Sequence, residues 1–307
     1  MKPKVLRLEP KFTDEEMKAR YRNTMIEPSM IDTILTEDAD VYDAKTGKLL
    51  LLFRKRQLPI PEANTFYDNV IDFVRKRPTS LRYNAKENKI KTGAAHQYIH
   101  SVVVGFFDRL SFRQNAMLKM HGVKLDTGAR ATEFNIKYPE KYDKVVPYVT
   151  AVDDLYKRYV PDAHKRQYAK AKETPYKVGD TSFSTVTVNL NYRTTIHKDK
   201  KDDPEGFGNL TVIERGKYAG AETCMPQWGV GVDVRQGDIL FMDVHEWHGN
   251  LPMKPLSKGA ERMSVVCYFM PKIWEQTKHM SAASLKRNTQ KLVALRASSK
   301  NNKTRRL

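Results

Sequence analysis

Residues 183–199 read FSTVTVNLNYRTTIHKD, and the predicted fold follows from this stretch. Apolar and polar residues alternate from Val186 to Arg193, a period of two that is typical of a strand with one buried face. The polar set continues to His197 and Asp199, so an extended chain would point both side chains the same way. An imidazole beside a carboxylate is an arrangement that binds metal ions.

Other short strands are predicted elsewhere in the chain, separated by turns rich in Gly, Asn and Asp. They cover a hairpin at 40–55 and the segments 101–108, 130–138, 209–214, 229–234, 237–244 and 261–270. Residues 80–98 have no periodicity and are interpreted as a loop. This many short strands indicates a sandwich or a barrel, and therefore an α+β protein with a mostly β core.

Helices are predicted at three places before the central strand. A capping box at Thr13 and Glu16 begins a short basic helix that runs to Arg22. Apolar residues at one-face spacing predict a helix from Pro61, and a longer helical stretch at 148–172 is expected to break at Pro161.

The chain is expected to have three regions. Residues 1–99 form a helical and hairpin extension packed on the core, 100–275 form the core, and 276–307 form a basic C-terminal helix and tail. The tail from Ser281 contains Lys and Arg but no acidic residue. Its first half is predicted to be helical and its last ten residues disordered.

Composition narrows the class of partner. The 307 residues carry a net charge of +18, and 40% of them are hydrophobic, enough for a packed core. Such a charge fits either a generally basic soluble protein or one that binds a polyanion, most simply nucleic acid. Cys224 and Cys267 stand in no CxxC pattern and are expected to be buried free thiols, which suits a reducing, intracellular location. No signal peptide is expected, because the first twelve residues lack an apolar segment, and no apolar run approaches the roughly 20 residues that a membrane helix needs.

The metal motif becomes specific only when the segments are combined. His197-x-Asp199 alone is a weak signal, and a surface dipeptide would look the same. Downstream, HEWHGN supplies two candidate third ligands, His245 and His248. Two histidines and one carboxylate with open positions are the facial triad of non-haem Fe(II) oxygenases.

The last strand carries a candidate anion site. Arg262, Ser264, Val266, Tyr268 and Met270 share one face by the period of two. An Arg with a hydroxyl beside it can hold a carboxylate by a bidentate fork and one further donor. The alternative is that Arg262 is a surface charge at the end of a strand.

Taken together, these segments resemble the TET/JBP group of 2-oxoglutarate/Fe(II)-dependent nucleic-acid dioxygenases. The resemblance rests on TVNLNYRTTIHKDKKD, the GFG loop, GDILFMDVHEWHGN and the Arg-x-Ser pair, and it is strongest over residues 181–270. It implies a double-stranded β-helix, or jelly-roll, flanked by helices. It also implies Fe(II) and 2-oxoglutarate as cofactors, O₂ as co-substrate, and ascorbate as a reductant in vitro.

The resemblance assigns roles to particular residues. His197, Asp199 and His248 would bind Fe(II), whereas His245 has the wrong strand parity and is expected to be packed or to support a ligand. Arg262 and Ser264 would hold the distal carboxylate of 2-oxoglutarate. Arg193 is a candidate second contact to an anion, because it lies on the polar face before His197.

The base contacts follow by the same resemblance. Asp202, three residues after the metal aspartate, would contact the base, while Thr187 and Tyr268 would lie beside its methyl group. Asn135 is a further candidate. The family commonly has a base-contacting His where this chain has Met270, so the choice between 5-methylcytosine and thymine stays open.

The function expected on this basis is hydroxylation of 5-methylcytosine in DNA to 5-hydroxymethylcytosine, with further oxidation of that product left open and thymine as the alternative base. The partner would be double-stranded DNA with the base flipped into the pocket, and the protein would be a monomer that does not bind membranes. Two other hypotheses are a 2-oxoglutarate hydroxylase of a protein or metabolite and a non-catalytic DNA-binding jelly-roll.

Overall fold

The computed structural model describes residues 2–77, 100–200 and 202–304. Its strands are β1 (Lys4–Leu8), β2 (Thr33–Leu35), β3 (Ala39–Asp43), β4 (Leu49–Arg54), β5 (His100–Phe107), β6 (Arg130–Ala131), β7 (Thr185–Leu190), β8 (Gly208–Arg215), β9 (Tyr218–Gly220), β10 (Thr223–Met225), β11 (Val230–Val232), β12 (Ile239–Met242), β13 (Gly249–Asn250), β14 (Met253–Pro255) and β15 (Glu261–Tyr268).

The helices flank these strands. They are α1 (Asp14–Glu16), α2 (Ile60–Arg75), α3 (Phe112–Met120), α4 (Glu133–Lys137), α5 (Pro139–Tyr159), α6 (Pro161–Ala171), α7 (Pro271–Thr277) and α8 (Ala282–Thr304). The predicted capping box is present at Thr13 and Glu16, and α1 continues into a π-helical turn, Met17–Tyr21. The predicted break at Pro161 is confirmed, since α5 ends at Tyr159 and α6 begins at Pro161. In the described part of the chain, no helix is long and apolar enough to cross a membrane.

Two sheets form the jelly-roll that the sequence predicts. The major sheet of the described residues has the order β1-β3-β4-β12-β8-β15-β7-β5-β6, and the minor sheet has the order β13-β10-β11-β2. The strand β15 pairs antiparallel with both β7 and β8 at the centre of the major sheet. The predicted hairpin is β3 and β4, which joins the major sheet through β12.

The core has two main parts, one on each side of the major sheet. Apolar residues of α2 and α5, such as Phe66 and Tyr148, pack against one face together with Val188 of β7 and Val265 of β15. A second cluster lies between the two sheets and includes Val41, Phe53 and Val230. Strands β7 and β15 therefore bury their apolar side chains against helices, which leaves their polar faces for another use.

Several expectations need correction. Residues 130–138 were predicted as a strand, but only Arg130–Ala131 is one, and α4 follows at once. The disorder predicted for the last ten residues is wrong as far as Thr304, where α8 ends. The predicted loop at 80–98 lies outside the described residues, and the region boundaries after 99 and 275 stay predictions.

Packing of α2 on the sheet can be tested with a matched pair of phenylalanines. Phe66 is fully buried, whereas Phe112 on α3 is 91% exposed. We expect Phe66→Ala to cost roughly 3–5 kcal/mol of unfolding free energy because it leaves a cavity, and Phe112→Ala to stay within about 0.5 kcal/mol. Urea unfolding followed by circular dichroism measures both, and equal midpoints for the two variants would contradict this packing.

Candidate active site

The first strand of the site ends earlier than the sequence suggests. β7 stops at Leu190, because Asn191 adopts a left-handed conformation with φ of 51°, which Asn tolerates better than most residues. Its Oδ1 accepts a hydrogen bond from the backbone N–H of Arg262 at 2.8 Å. The expected extended strand to Asp199 is therefore wrong, and His197 lies on a loop that has left the sheet.

A single β-bridge brings two of the predicted ligands together. His197 and His248 each donate their backbone N–H to the other's carbonyl oxygen at 2.9 Å. Their ring centroids are 4.3 Å apart. Gly249 permits this approach, since a Cβ at that position would lie 3.0 Å from the carbonyl oxygen of Thr195.

The third candidate ligand completes a compact group. Ligand atoms of His197, Asp199 and His248 lie within 4.8 Å of one another. The two Nε2 atoms are 3.6 and 3.7 Å from the two carboxylate oxygens of Asp199. The backbone N–H of Asp199 donates to the carbonyl of Val244 at 2.9 Å, which fixes the carboxylate in position.

The hydrogen bonds of the two rings prepare them for metal binding. Nδ1 of His197 lies 2.7 Å from the carbonyl of Thr195, and Nδ1 of His248 lies 2.9 Å from the carbonyl of Glu246. A carbonyl can only accept, so each Nδ1 carries the proton and each Nε2 presents its lone pair to the centre. Burial and the neighbouring His197 ring lower the pKa of His248 to about 4, which keeps it in the neutral form that a metal requires.

His245 lies outside this group. Its two ring nitrogens face the carbonyl oxygens of Asp199 at 3.1 Å and Asp203 at 3.3 Å. It thus supports the loop that follows the metal aspartate, in line with the packing or supporting role that the sequence suggested.

A cavity of about 650 Å³ opens in front of the three ligands. The polar faces of the central strands supply much of its wall: Thr187 and Asn189 from β7, and Arg262, Ser264, Val266, Tyr268 and Met270 from β15 and its end. The shared face predicted for the last strand is therefore confirmed. Neighbouring β15 residues of opposite parity, including Met263 and Val265, lie in the helix-facing core.

Arg262 is a buried cation in the cavity wall whose hydrogen bonds are incomplete. Its side chain is nearly fully buried, and its Nε has no hydrogen-bond partner among the described residues. Burial lowers the pKa of this guanidinium, while the adjacent Tyr218 opposes the shift. A buried cation without a full set of acceptors is costly. Together with the buried hydroxyl of Ser264, it fits a ligand that carries a carboxylate.

Three of the four predicted base contacts line the cavity. The hydroxyl of Thr187 donates to the hydroxyl of Tyr268 at 3.4 Å. Asp202 lines the cavity near the ligands, and burial raises its pKa, with further contributions from the carboxylates of Asp199 and Asp203. A carboxyl with a raised pKa holds a proton more readily, so it can donate as well as accept.

Two predicted site residues lie outside the wall of this cavity. Arg193 donates from Nη2 to the carbonyl of Ile26 at 2.8 Å and is absent from the cavity wall. Asn135 lies on α4, where its Oδ1 accepts from the N–H of Gly105 at 3.0 Å. Asn135 therefore lies apart from the other site residues, whereas Arg193 lines a smaller neighbouring pocket together with Arg262.

Sequence reasoning missed a residue that joins both ligand segments. Oδ1 of Asp14 accepts from Nζ of Lys198 at 2.5 Å and from Nε1 of Trp247 at 2.7 Å. Lys198 stands between two candidate ligands, and Trp247 precedes the third. The capping box placed Asp14 at a helix start, but no local pattern indicates partners so far away in the chain.

Comparison with known proteins places this site in a family. Residues 121–271 match the Tet_JBP model, described as the oxygenase domain of the 2OGFeDO superfamily. This part of the chain belongs to the Tet_JBP family. The matched segment contains both the ligand group and Arg262. The residues of this oxygenase domain therefore fit Fe(II) and 2-oxoglutarate.

Curated relatives are much longer proteins. Thymine dioxygenase JBP1 of Trypanosoma brucei brucei is 28% identical over 179 residues, which is 58% of this chain and 20% of that protein. Thymine dioxygenase JBP1-A of Trypanosoma cruzi is 26% identical over 269 residues, or 86% of this chain and 30% of the relative. Among solved structures, NgTET1 in complex with 5mC DNA gives a TM-score of 0.46 at 12% identity, covering 78% of each chain.

Removing a ligand tests the metal site directly. We expect His248→Ala to weaken Co(II) binding roughly 100-fold or more, because one of three protein ligands is lost. His121→Ala, at an exposed turn after α3, is the matched control and keeps the wild-type affinity. Isothermal titration calorimetry measures both, and an unchanged affinity in His248→Ala would exclude it as a ligand.

Arg262 can be tested separately from the metal. With Co(II) bound, we expect Arg262→Met to weaken 2-oxoglutarate binding by about 10- to 100-fold, since a charge-assisted pair is lost. Arg262→Lys keeps the positive charge but loses the bidentate geometry, so its 2-oxoglutarate affinity should lie between those of the wild-type protein and Arg262→Met. Arg113→Met, an exposed change on α3, serves as control. Wild-type affinity in Arg262→Met would place the co-substrate elsewhere.

Proposed function

We propose that this protein is a Fe(II)- and 2-oxoglutarate-dependent dioxygenase that hydroxylates the 5-methyl group of a pyrimidine in DNA. One observation carries the proposal: a single cavity in the Tet_JBP domain contains both the His197–Asp199–His248 group and the buried guanidinium of Arg262, whose Nε has no hydrogen-bond partner among the described residues. A facial triad beside a carboxylate site is what a 2-oxoglutarate oxygenase requires.

The chain's own residues would divide the work as follows. His197, Asp199 and His248 hold Fe(II), which, when bound, supplies the chemistry that couples 2-oxoglutarate decarboxylation to O₂ activation. Arg262 and Ser264 bind and orient the distal carboxylate of 2-oxoglutarate from β15. Thr187 and Tyr268, linked by their hydroxyls, form the wall beside the methyl group.

DNA is favoured as the substrate by charge and by cavity size. The net charge of +18 suits a polyanion, and small-molecule hydroxylation would need no such charge. A cavity of about 650 Å³ is in the range that accommodates small-molecule ligands, and a base must leave the duplex to enter it. Double-stranded DNA with a flipped base, a monomeric protein and an intracellular location stay predictions.

The choice of base has two candidates. The names of the curated relatives favour thymine, since both are thymine dioxygenases. Asp202 supports 5-methylcytosine as the second candidate, because a carboxylate can accept a hydrogen bond from the exocyclic amine of cytosine. The same carboxylate can also accept a hydrogen bond from N3–H of thymine, so Asp202 does not separate the two bases. The names of the relatives therefore make thymine the first candidate.

Two duplexes separate these bases. One contains thymine but no 5-methylcytosine, and the other contains 5-methylcytosine with every thymine replaced by uracil. With Fe(II), 2-oxoglutarate and ascorbate, we expect 5-hydroxymethyluracil from the first duplex by nucleoside mass spectrometry. Formation of 5-hydroxymethylcytosine from the second supports the alternative base.

The control for this experiment is Asp199→Ala, which should give neither product. If the wild-type protein oxidises neither duplex, the proposal of a DNA pyrimidine dioxygenase is wrong. Release of succinate by the wild-type protein in that case would instead favour hydroxylation of a protein or metabolite, and no turnover at all would favour the non-catalytic jelly-roll.

A further inference from the structure

An N-terminal segment lies at the mouth of the cavity, far in sequence from the metal ligands. It runs from Thr13 through the π-helical turn to Ile26, and its Lys18 and Arg22 line the cavity together with Lys200 from the loop after Asp199. All three cationic side chains are exposed. They therefore stand where a ligand enters, whereas Arg262 lies buried in the interior.

We propose that these three residues, the mouth clamp, bind phosphate groups of the nucleic acid whose base occupies the cavity. This inference rests on the proposed function and adds to it a specific phosphate site. Lys and Arg side chains that neutralise phosphates supply much of the affinity of nucleic-acid-binding proteins.

The positive charges of the clamp residues are not neutralised by ion pairs within the described part of the chain. Within the described part of the chain, Lys18, Arg22 and Lys200 form no ion pair and no side-chain hydrogen bond of the kind that Lys198 makes with Asp14. Asp14 pairs with Lys198 and Trp247 and attracts Lys18 only weakly by comparison, and Asp199 belongs to the metal group. Asp202 is the remaining acid in the cavity wall, so cations outnumber free acids at the entrance.

Backbone hydrogen bonds join this segment to the loop that carries His197. The N–H of Asn23 donates to the carbonyl of Ile196 at 2.9 Å, and the N–H of Ile196 donates to the carbonyl of Thr24 at 2.8 Å. Asn23 turns the chain for this pairing with a left-handed φ of 63°. The clamp is thereby tied to the residue immediately before His197.

Apolar packing holds the other side of the segment. Met17 and Ile26 are fully buried and pack in one cluster with Ile196 and Trp247. One face of the segment is thus embedded while Lys18 and Arg22 remain outside. Cations on a fixed support lose less conformational freedom on binding than cations on a free tail.

The arrangement suits a phosphodiester strand better than a small dicarboxylate. A dicarboxylate co-substrate has its own partner in Arg262, deep in the cavity. Separate charges around an open rim instead match the phosphates on either side of a base that has left the stack. Lys200 comes from a different segment than Lys18 and Arg22, so two separate parts of the chain contribute cations to the clamp.

A double variant tests the clamp by DNA binding. We expect Lys18→Ala with Arg22→Ala to weaken binding of a fluorescent duplex about tenfold near physiological salt, and to reduce the slope of log K against log salt by about 1.8. The matched control is Lys254→Ala with Lys258→Ala, two exposed lysines away from the cavity, which should keep the wild-type slope. Fluorescence anisotropy over a salt series measures both.

Further readouts separate the clamp from the proposed function. Co(II) and 2-oxoglutarate affinities of the clamp variant should match wild type, which shows an intact site, and Lys18→Glu with Arg22→Glu should weaken DNA binding further. Wild-type affinity and slope in the clamp variant would overturn the clamp even if the wild-type enzyme oxidises DNA. A wild-type protein that binds no DNA would overturn it as well, whereas DNA binding through the clamp without oxidised product would contradict the proposed function alone.

Discussion

The backbone bridge between His197 and His248 is the contact on which the site depends. Its two hydrogen bonds of 2.9 Å join a loop that has left the sheet at Asn191 to the segment after β12. Without that bridge, neither imidazole would be held against the carboxylate of Asp199. The bridge needs a small residue beside it, and this accounts for Gly249 in the HGN sequence.

The sheet contributes to stability and to the site through opposite faces of the same strands. Val188 and Val265 pack against helices, whereas Thr187 and Ser264 face the cavity. A strand that is clamped by a packed core cannot easily shift its polar face, so the cavity wall is held before any ligand binds. Burying Arg262 without a partner for its Nε costs stability, and a carboxylate ligand would offset that cost.

Local periodicity was sufficient to predict much of this wall. A period of two assigns Arg262, Ser264 and Tyr268 to one face because strand geometry depends only on nearest neighbours. The left-handed turn at Asn191 was not predictable in the same way, since its partner, the backbone of Arg262, is distant in sequence. The same applies to Arg193, whose side chain follows the carbonyl of Ile26 rather than the parity of β7.

Asp14 illustrates how long-range pairing sorts the charges around the metal group. Lys198 stands between His197 and Asp199, where a free ammonium would compete with a metal for the carboxylate. Instead its Nζ pairs with Asp14 and lies 5.1 Å from the ring centroid of Trp247. Pairing with Lys198 also lowers the pKa of Asp14, so this carboxylate stays charged in mildly acidic solution. Lys198 is thus held away from the metal ligands, while the cations of the mouth clamp remain available to bind a ligand.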